Sequence, residues 1–164
     1  MKRFRVFHLS ILVAALLGVA HLAAGAQPVT TSMQLPLAGT VFVPLSNGGF
    51  DAVALAGQAH VVTHVIPPGP FTPPNPVRIH VNLDQVFGVG DITGLRYNAT
   101  GANRINLPAI PRDPVNLGFN LQPDGPPVTP PNPIIPLDIS FILTFNPDTG
   151  ALSNVVIESM SVPV

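Results

Sequence analysis

The sequence predicts an all-β fold, an antiparallel sandwich or barrel of about seven to eight short strands joined by proline-rich loops. Two observations carry this prediction. All 21 prolines and 12 of the 14 glycines lie beyond residue 26, in clusters that leave no room for a long helix. The segments between these clusters are apolar and of strand length. Many short strands with turn signals between them are typical of sandwiches and barrels.

Seven segments are candidate strands, and a break in the second is expected near Gly57. In chain order they are Leu37–Leu45, Ala52–Ile66, Val77–Phe87, Ile92–Thr100, Val115–Gln122, Leu137–Asn146 and Ala151–Met160. The glycine-rich run 88–94 joins two of them, which predicts a turn or bulge. A phosphate-binding loop would instead open a helix.

The last two segments form the clearest element, a hairpin near the C-terminus. From Leu137 to Phe145 every second residue is apolar, and this period of two predicts a strand with one buried face. The run Asn146-Pro147-Asp148-Thr149-Gly150 follows, with proline at a favoured turn position and a glycine free to adopt positive φ. Residues 151–160 then resume the strand pattern.

The first 26 residues have the three parts of a secretory signal peptide. Lys2, Arg3 and Arg5 are followed by an apolar run over 11–20 and by small residues ending in Ala26. A spanning helix would need about 20 consecutive apolar residues, whereas His21 interrupts this run. We therefore expect cleavage before residue 27, a single β-domain over residues 27–164, no membrane span after cleavage, and a secreted or periplasmic location.

Removal of this peptide changes the charge. It carries three of the seven basic residues while all eight acidic residues lie beyond it, so the mature net charge is 4 − 8 = −4, without lysine. Nucleic-acid binding needs clustered cations, and the four remaining arginines are scattered. The absence of cysteine excludes disulfides, a thiolate nucleophile and thiolate-bound zinc.

The three histidines of the mature chain all fall in one predicted hairpin, formed by 58–66 and 77–85. Alternation places their side chains on the polar face. Two registers satisfy this pattern, either with His64 opposite His80 and His60 opposite Asp84, or shifted by one pair. Both registers gather the imidazoles near the polar residues of the second strand. The candidate polar site therefore consists of His60, His64, His80, Arg78, Asn82 and Asp84.

This constellation has two interpretations. A cross-strand pair such as His64 with His80 is a candidate metal site for zinc or copper. His60 and His64 are about 13 Å apart along one strand, at ~3.3 Å per residue, so they do not ligate one ion together. The other interpretation is a hydrogen-bonded outer face of a sheet whose opposite face is the core.

Motifs of the common enzyme classes are missing. The sequence has no Gly-x-Ser-x-Gly elbow, no His-Glu-x-x-His, no phosphate-binding loop with lysine, and no dinucleotide fingerprint. One glutamate and seven aspartates, mostly in turns, present no pair suited to glycoside hydrolysis. We therefore expect no catalytic residues and no bound cofactor other than the metal considered above.

Several short runs resemble a group of small secreted bacterial proteins of uncharacterised function. They are Gly57–Val65 (GQAHVVTHV), Ile79–Asn82 (IHVN), Gly88–Gly90 (GVG), Thr93–Tyr97 (TGLRY) and Thr100–Ala102 (TGA), and they span residues 57–102. The resemblance implies an exported bacterial β-protein and supports pairing of the histidine segments. It implies no particular activity. The proline-rich loops of this chain are longer than the turns associated with that group.

The sequence thus favours an exported, non-enzymatic β-domain with a binding or surface-structural role. Its low content of charged residues, 9% of the chain, and its apolar strands also predict self-association through an exposed edge strand. The alternative is a metal-binding or metal-dependent role at the histidines.

Overall fold

A computed structural model describes residues 27–66, 76–124 and 134–163 of the chain, and within these ranges the fold is all-β, with eight strands and no helix. The predicted fold class is therefore confirmed. The predicted signal peptide and the most proline-rich parts of two predicted loops, residues 67–75 and 125–133, lie outside the described residues.

The strands pair only in antiparallel fashion. They are β1 (Val29–Pro44), β2 (Phe50–Val65), β3 (Val77–Gly90), β4 (Arg96–Thr100), β5 (Ala102–Leu107), β6 (Val115–Asp124), β7 (Ile135–Phe145) and β8 (Leu152–Ser161). The order across the sheet is β1-β2-β3-β4-β6-β7-β8, and β5 pairs with the first half of β3 beside β4. Consecutive strands are thus neighbours almost throughout, as short hairpin connections favour.

The sheet curls into a nearly closed barrel in which the first and last strands meet. The Leu152 N–H donates a hydrogen bond of 3.3 Å to Thr31 Oγ1 across this seam. Further along, the Met160 side chain occupies the place that a Cβ on Gly39 would take. Side chains and not a backbone ladder therefore join β1 to β8 in the part of the chain that the structure describes.

The inside of the barrel is filled with apolar side chains. Phe141, Ile139 and Leu137 of β7 are fully buried, together with inward-facing residues of the other long strands. Alternation within each strand produces this core, because successive side chains point to opposite faces. Among the described residues, only Asp51 and Thr63 are polar and buried.

The predicted C-terminal hairpin is confirmed, with β7 paired to β8 and a turn at 146–150. Asn146 Oδ1 accepts hydrogen bonds from the N–H groups of Asp148 at 2.9 Å and Thr149 at 3.0 Å. Gly150 has a φ of 71°. The turn therefore uses the left-handed glycine that its sequence predicted, and the Asn146 side chain caps it in addition.

Two predicted strand boundaries were wrong. The first strand begins at Val29 and not at Leu37, because its polar first half pairs with the polar half of β2. The segment predicted as Ile92–Thr100 begins as a turn, and only its end is β4; β5 was not predicted at all. Every second residue of β5 is only half-buried, so its alternation is weak.

Candidate binding surface

The faces of β1, β2 and β3 that point away from the core form one continuous outer wall. The ladders that join these strands run along nearly their whole length. One end of this wall, near the start of β1, is polar and carries the predicted histidines. The other end is apolar. The two halves offer different chemistry and are described in turn.

The polar half contains the predicted histidine constellation in the second of the two predicted registers. His60 lies opposite Asn82 and His64 opposite Arg78. His80 lies opposite Val62, so it is diagonal to both histidines of β2 and directly opposite neither. Diagonal positions on an antiparallel pair are about 7–8 Å apart.

Hydroxyl groups of β1 hold two of these imidazoles. A hydrogen bond of 2.7 Å joins Ser32 Oγ to His60 Nε2, and one of 2.8 Å joins Thr30 Oγ1 to His64 Nδ1. The sequence analysis missed both hydroxyls because it began β1 after them. The polar hydrogen-bonded face is thus present, and it extends over three strands.

The remaining predicted residues of the polar half point in the same direction. Arg78 Nε donates a hydrogen bond of 3.1 Å to Asn106 Oδ1 on β5. Asp84 lies opposite Gln58, at the far end of the polar half, and not beside a histidine. Within the described ranges, no group of three histidine, aspartate or glutamate side chains is arranged to hold a metal ion. The two residues of the predicted metal pair, His64 and His80, lie at diagonal positions on adjacent strands, and His60 has the same relation to His80.

The apolar half of the wall was not foreseen. We define the apolar patch as six large side chains at this end of the barrel that are 44–71% exposed; they are Phe42, Phe50, Phe87, Val89, Ile92 and Leu95. Between Phe42 on β1 and the apolar side chains of β3, the outward residues of β2 are the small Ala52, Ala54 and Ala56. We call the strip along these three alanines the groove; Val89 and Phe87 border it on the β3 side, and Phe42 borders it on the β1 side only beside Ala52. It is about 10 Å wide, which is two strand spacings.

The size of the patch is that of the largest apolar patch on a typical monomer. At roughly 150–250 Å² for an aromatic side chain, the three phenylalanines alone expose on the order of 300 Å². The three aliphatic residues bring the patch to about 500 Å², within the range of about 300–600 Å² for the largest patch on a typical monomer, which is often functional. Arg96, stacked at 5.8 Å over the Phe87 ring, contributes a positive charge at its edge.

A buried carboxylate positions the turn that carries Ile92 and Leu95. Asp51 of β2 is inaccessible to solvent, and its Oδ1 accepts a hydrogen bond of 2.9 Å from the Ile92 N–H. The Thr93 hydroxyl donates to Oδ2. Gly90 is required here, because a Cβ at that position would lie 2.0 Å from Oδ2.

These contacts also affect two ionisations. Burial disfavours the charged form of Asp51, but hydrogen bonds from the Thr93 hydroxyl and from the backbone of Ile92 and Thr93 outweigh it and lower the pKa of the carboxyl group. The pKa of Tyr97 is raised, first by burial and then by the negative charge of Asp51. Asp51 thus holds the turn of the patch, and Tyr97 is buried in the core near it.

A bulge separates the two halves of the wall. Gln85 and Val86 of β3 face the single residue Gly57 of β2, and Gln85 has a φ of 50°. The predicted break near Gly57 is therefore a bulge that leaves both strands continuous. It opens an outward depression of about 460 Å³, lined by Ala56, Gly57, Gln58, Asp84, Gln85 and Phe87. A second depression of about 370 Å³ lies where β5 and β6 diverge, around Ile105 and Ile110.

Neither a membrane-spanning helix nor a related protein assigns a role to the outer wall. In the part of the chain that the structure describes, no helix is long and apolar enough to cross a membrane. Comparison of the chain with protein families, curated proteins and solved structures finds no match.

Proposed function

We propose that the mature chain is an exported, non-enzymatic β-domain that binds a partner through the apolar patch. The observation that carries this proposal is the patch itself, with six large apolar side chains exposed at one end of one wall. Exposing this area to water has a free-energy cost of ~25 cal/mol per Å², which a bound partner removes.

The filled interior supports a role at the outer surface. Ligand-binding barrels keep a cavity inside, whereas here the inward side chains pack against one another. The depressions described above lie on the outside of the sheet and at the divergence of β5 and β6. Acidic charge and the absence of lysine suit a partner that is recognised through apolar contacts and not through anionic groups.

A neutral apolar dye tests this proposal. We expect the mature protein to bind Nile red, and the double variant Phe42→Ser, Phe87→Ser to bind it about tenfold more weakly. Covering about 60 Å² of apolar area at ~25 cal/mol per Å² gives the ~1.4 kcal/mol that corresponds to tenfold in affinity. Fluorescence titration measures the two dissociation constants.

The matched control is the double variant Ile142→Ser, Val156→Ser. These residues are an exposed cross-strand pair of β7 and β8 on another part of the barrel, 38% and 47% exposed. We expect their replacement to leave dye binding unchanged. If the two double variants lose the same affinity for Nile red, the patch is not the binding surface.

Metal binding by His64 and His80 is the second candidate function. Both imidazoles point outward from adjacent strands, and their diagonal relation allows approach after side-chain rotation. Under this candidate, calorimetric titration of the mature protein with zinc or copper gives binding that the variant His80→Ala loses. Absence of binding by the wild type, or equal binding by the variant, rules the candidate out.

Self-association through an edge strand stays part of the leading proposal. β1 and β8 cover each other along the seam, whereas β5 is paired through its backbone to β3 alone in the described ranges. On its other side the Asn103 side chain donates a hydrogen bond to the Gly118 carbonyl, which covers only one position of that edge. Light scattering of the mature protein at high concentration measures self-association. A protein that stays strictly monomeric would exclude it.

A further inference from the structure

The depression at the bulge has features of a ligand site and is continuous with the apolar groove. Its volume of about 460 Å³ lies within the ~300–1,000 Å³ of small-molecule pockets. Phe87 and Ala56 belong both to its lining and to the apolar half of the wall. A ligand can therefore occupy the depression and the groove at once.

Backbone strain supports a role for this position. Gln85 adopts a left-handed conformation that glycine usually occupies, at a cost for other residues of roughly 1–2 kcal/mol. Such outliers concentrate at ligand-binding positions, where the surrounding structure maintains them. The left-handed residue lies at the register shift between β2 and β3, and it lines the depression together with residues of both strands.

The polar groups that line the depression define the chemistry of a ligand. Asp84 is the only charged residue among its lining residues, and Gln58 and Gln85 contribute neutral amides that both accept and donate hydrogen bonds. The Phe87 ring next to them attracts cations, and the Arg96 guanidinium already stacks over it at 5.8 Å. An anionic head group would meet the Asp84 carboxylate at close range, and the nearest cation on this side, Arg96, lies outside the lining, over the Phe87 ring.

We propose that the bulge binds the cationic head of an amphipathic molecule whose aliphatic chain lies along the alanine-floored groove. Charge complementarity to Asp84 selects the head, and the apolar patch holds the chain. The inference rests on the proposed function, because it names the class of ligand that the patch accepts.

Decyltrimethylammonium, at concentrations where it is monomeric, is a direct probe of this site. We expect the mature protein to bind it at least tenfold more tightly than decanoate, which has the same chain length and opposite charge. Tetramethylammonium, the head without the chain, is expected to bind at least tenfold more weakly. Calorimetry on the three compounds gives these ratios.

Two variants separate the head from the chain. Asp84→Asn, at an exposed position, is expected to weaken binding of the cation about threefold to fivefold and to leave decanoate unweakened. Ala54→Phe fills the groove and is expected to weaken both decyl compounds. Asp138→Asn, an exposed aspartate on β7, is the matched control and is expected to change neither.

Three outcomes overturn the inference: no binding of decyltrimethylammonium, equal binding of decanoate, or equal effects of Asp84→Asn and Asp138→Asn. Its failure is distinct from failure of the proposed function. If both decyl compounds bind equally and Phe42→Ser, Phe87→Ser weakens both, the patch binds apolar chains without selecting a cationic head. If the double variant Phe42→Ser, Phe87→Ser also binds Nile red as tightly as the wild type, the patch itself is not a binding surface.

Discussion

Replacement of Phe141 by alanine is expected to lower the free energy of unfolding by about 3–5 kcal/mol. Phe141 is fully buried on β7, the central strand between β6 and β8, with Val115 and Ile157 opposite it. Loss of the ring removes its transfer free energy and leaves a cavity that β-strands paired on both sides fill only in part. Urea denaturation of the wild type and the variant measures the difference.

The matched control for this prediction is Phe42→Ala, the same chemical change on the opposite face of the sheet. Phe42 is 61% exposed, so we expect a loss of less than about 1 kcal/mol. The comparison distinguishes side chains that build the barrel from those available to a partner. Comparable losses in the two variants would mean that Phe42 is part of the core and not of a binding surface.

Replacement of Asp51 by alanine is expected to lower the free energy of unfolding by about 2–4 kcal/mol. The change removes acceptors from the Ile92 N–H and the Thr93 hydroxyl and leaves a buried void above β2. Hydrogen bonds to charged groups contribute roughly 1.5–3 kcal/mol each. We also expect weaker Nile red binding, because the turn that carries Ile92 and Leu95 loses its anchor.

We expect the stability of the protein to depend on pH through Asp51, because its charged form is the one that stabilises the fold. Its pKa is lower in the folded than in the unfolded state, so its contribution is fully present above the unfolded pKa of about 4. The contribution is lost as the pH falls through the folded pKa. The variant Asp51→Asn is therefore expected to lose less stability than the wild type on acidification below about pH 4.

Asp91 provides the control for both Asp51 experiments. It lies in the same turn and is exposed. We expect Asp91→Ala to change the free energy of unfolding by no more than about 0.5 kcal/mol. Equal losses of stability in the Asp91 and Asp51 variants would contradict the anchoring role of Asp51. The loss would then come from the charge of the turn and not from the buried contacts of Asp51.

Alternation and turn residues, which involve only neighbouring positions in the chain, predicted the C-terminal hairpin and the outward face of the histidines. Period-two alternation and the turn over 146–150 were sufficient for the C-terminal hairpin. Alternation also placed the histidines on one outward face and limited the pairing to two registers. It did not choose between them, because both put the same side chains on the same faces. Gly57 marked the position of the irregularity in this ladder, but not that Gln85, on the partner strand, would adopt the positive φ of the bulge.

Non-local contacts account for what the sequence analysis missed. Thr30 and Ser32 belong to β1 because they pair with the histidine half of β2, about 30 residues away in the chain. Asp51 reaches Thr93 only after β2 and β3 have paired. No spacing in the sequence relates these residues, so a single chain read by itself contains no signal for either contact.

The sequence contains one indication of the apolar patch, in the apolar runs at the ends of two strands. Phe42 stands between Val41 and Val43, and Phe87 follows Val86, so both faces of these strand ends are apolar. A half-buried strand alternates, whereas an apolar run indicates that both faces are covered. In the barrel nothing among the described residues covers the outer face at this end, which leaves the patch open to a partner.

Nuclear magnetic resonance locates the binding surface most directly. In ¹⁵N–¹H correlation spectra of the mature protein titrated with hexanol, a small neutral probe, we expect the largest shifts at the amides of Phe42, Ala54, Phe87 and Val89. The account is contradicted if the largest shifts instead fall around Ile105 and Ile110, at the divergence of β5 and β6, or on the outer face of β7 and β8.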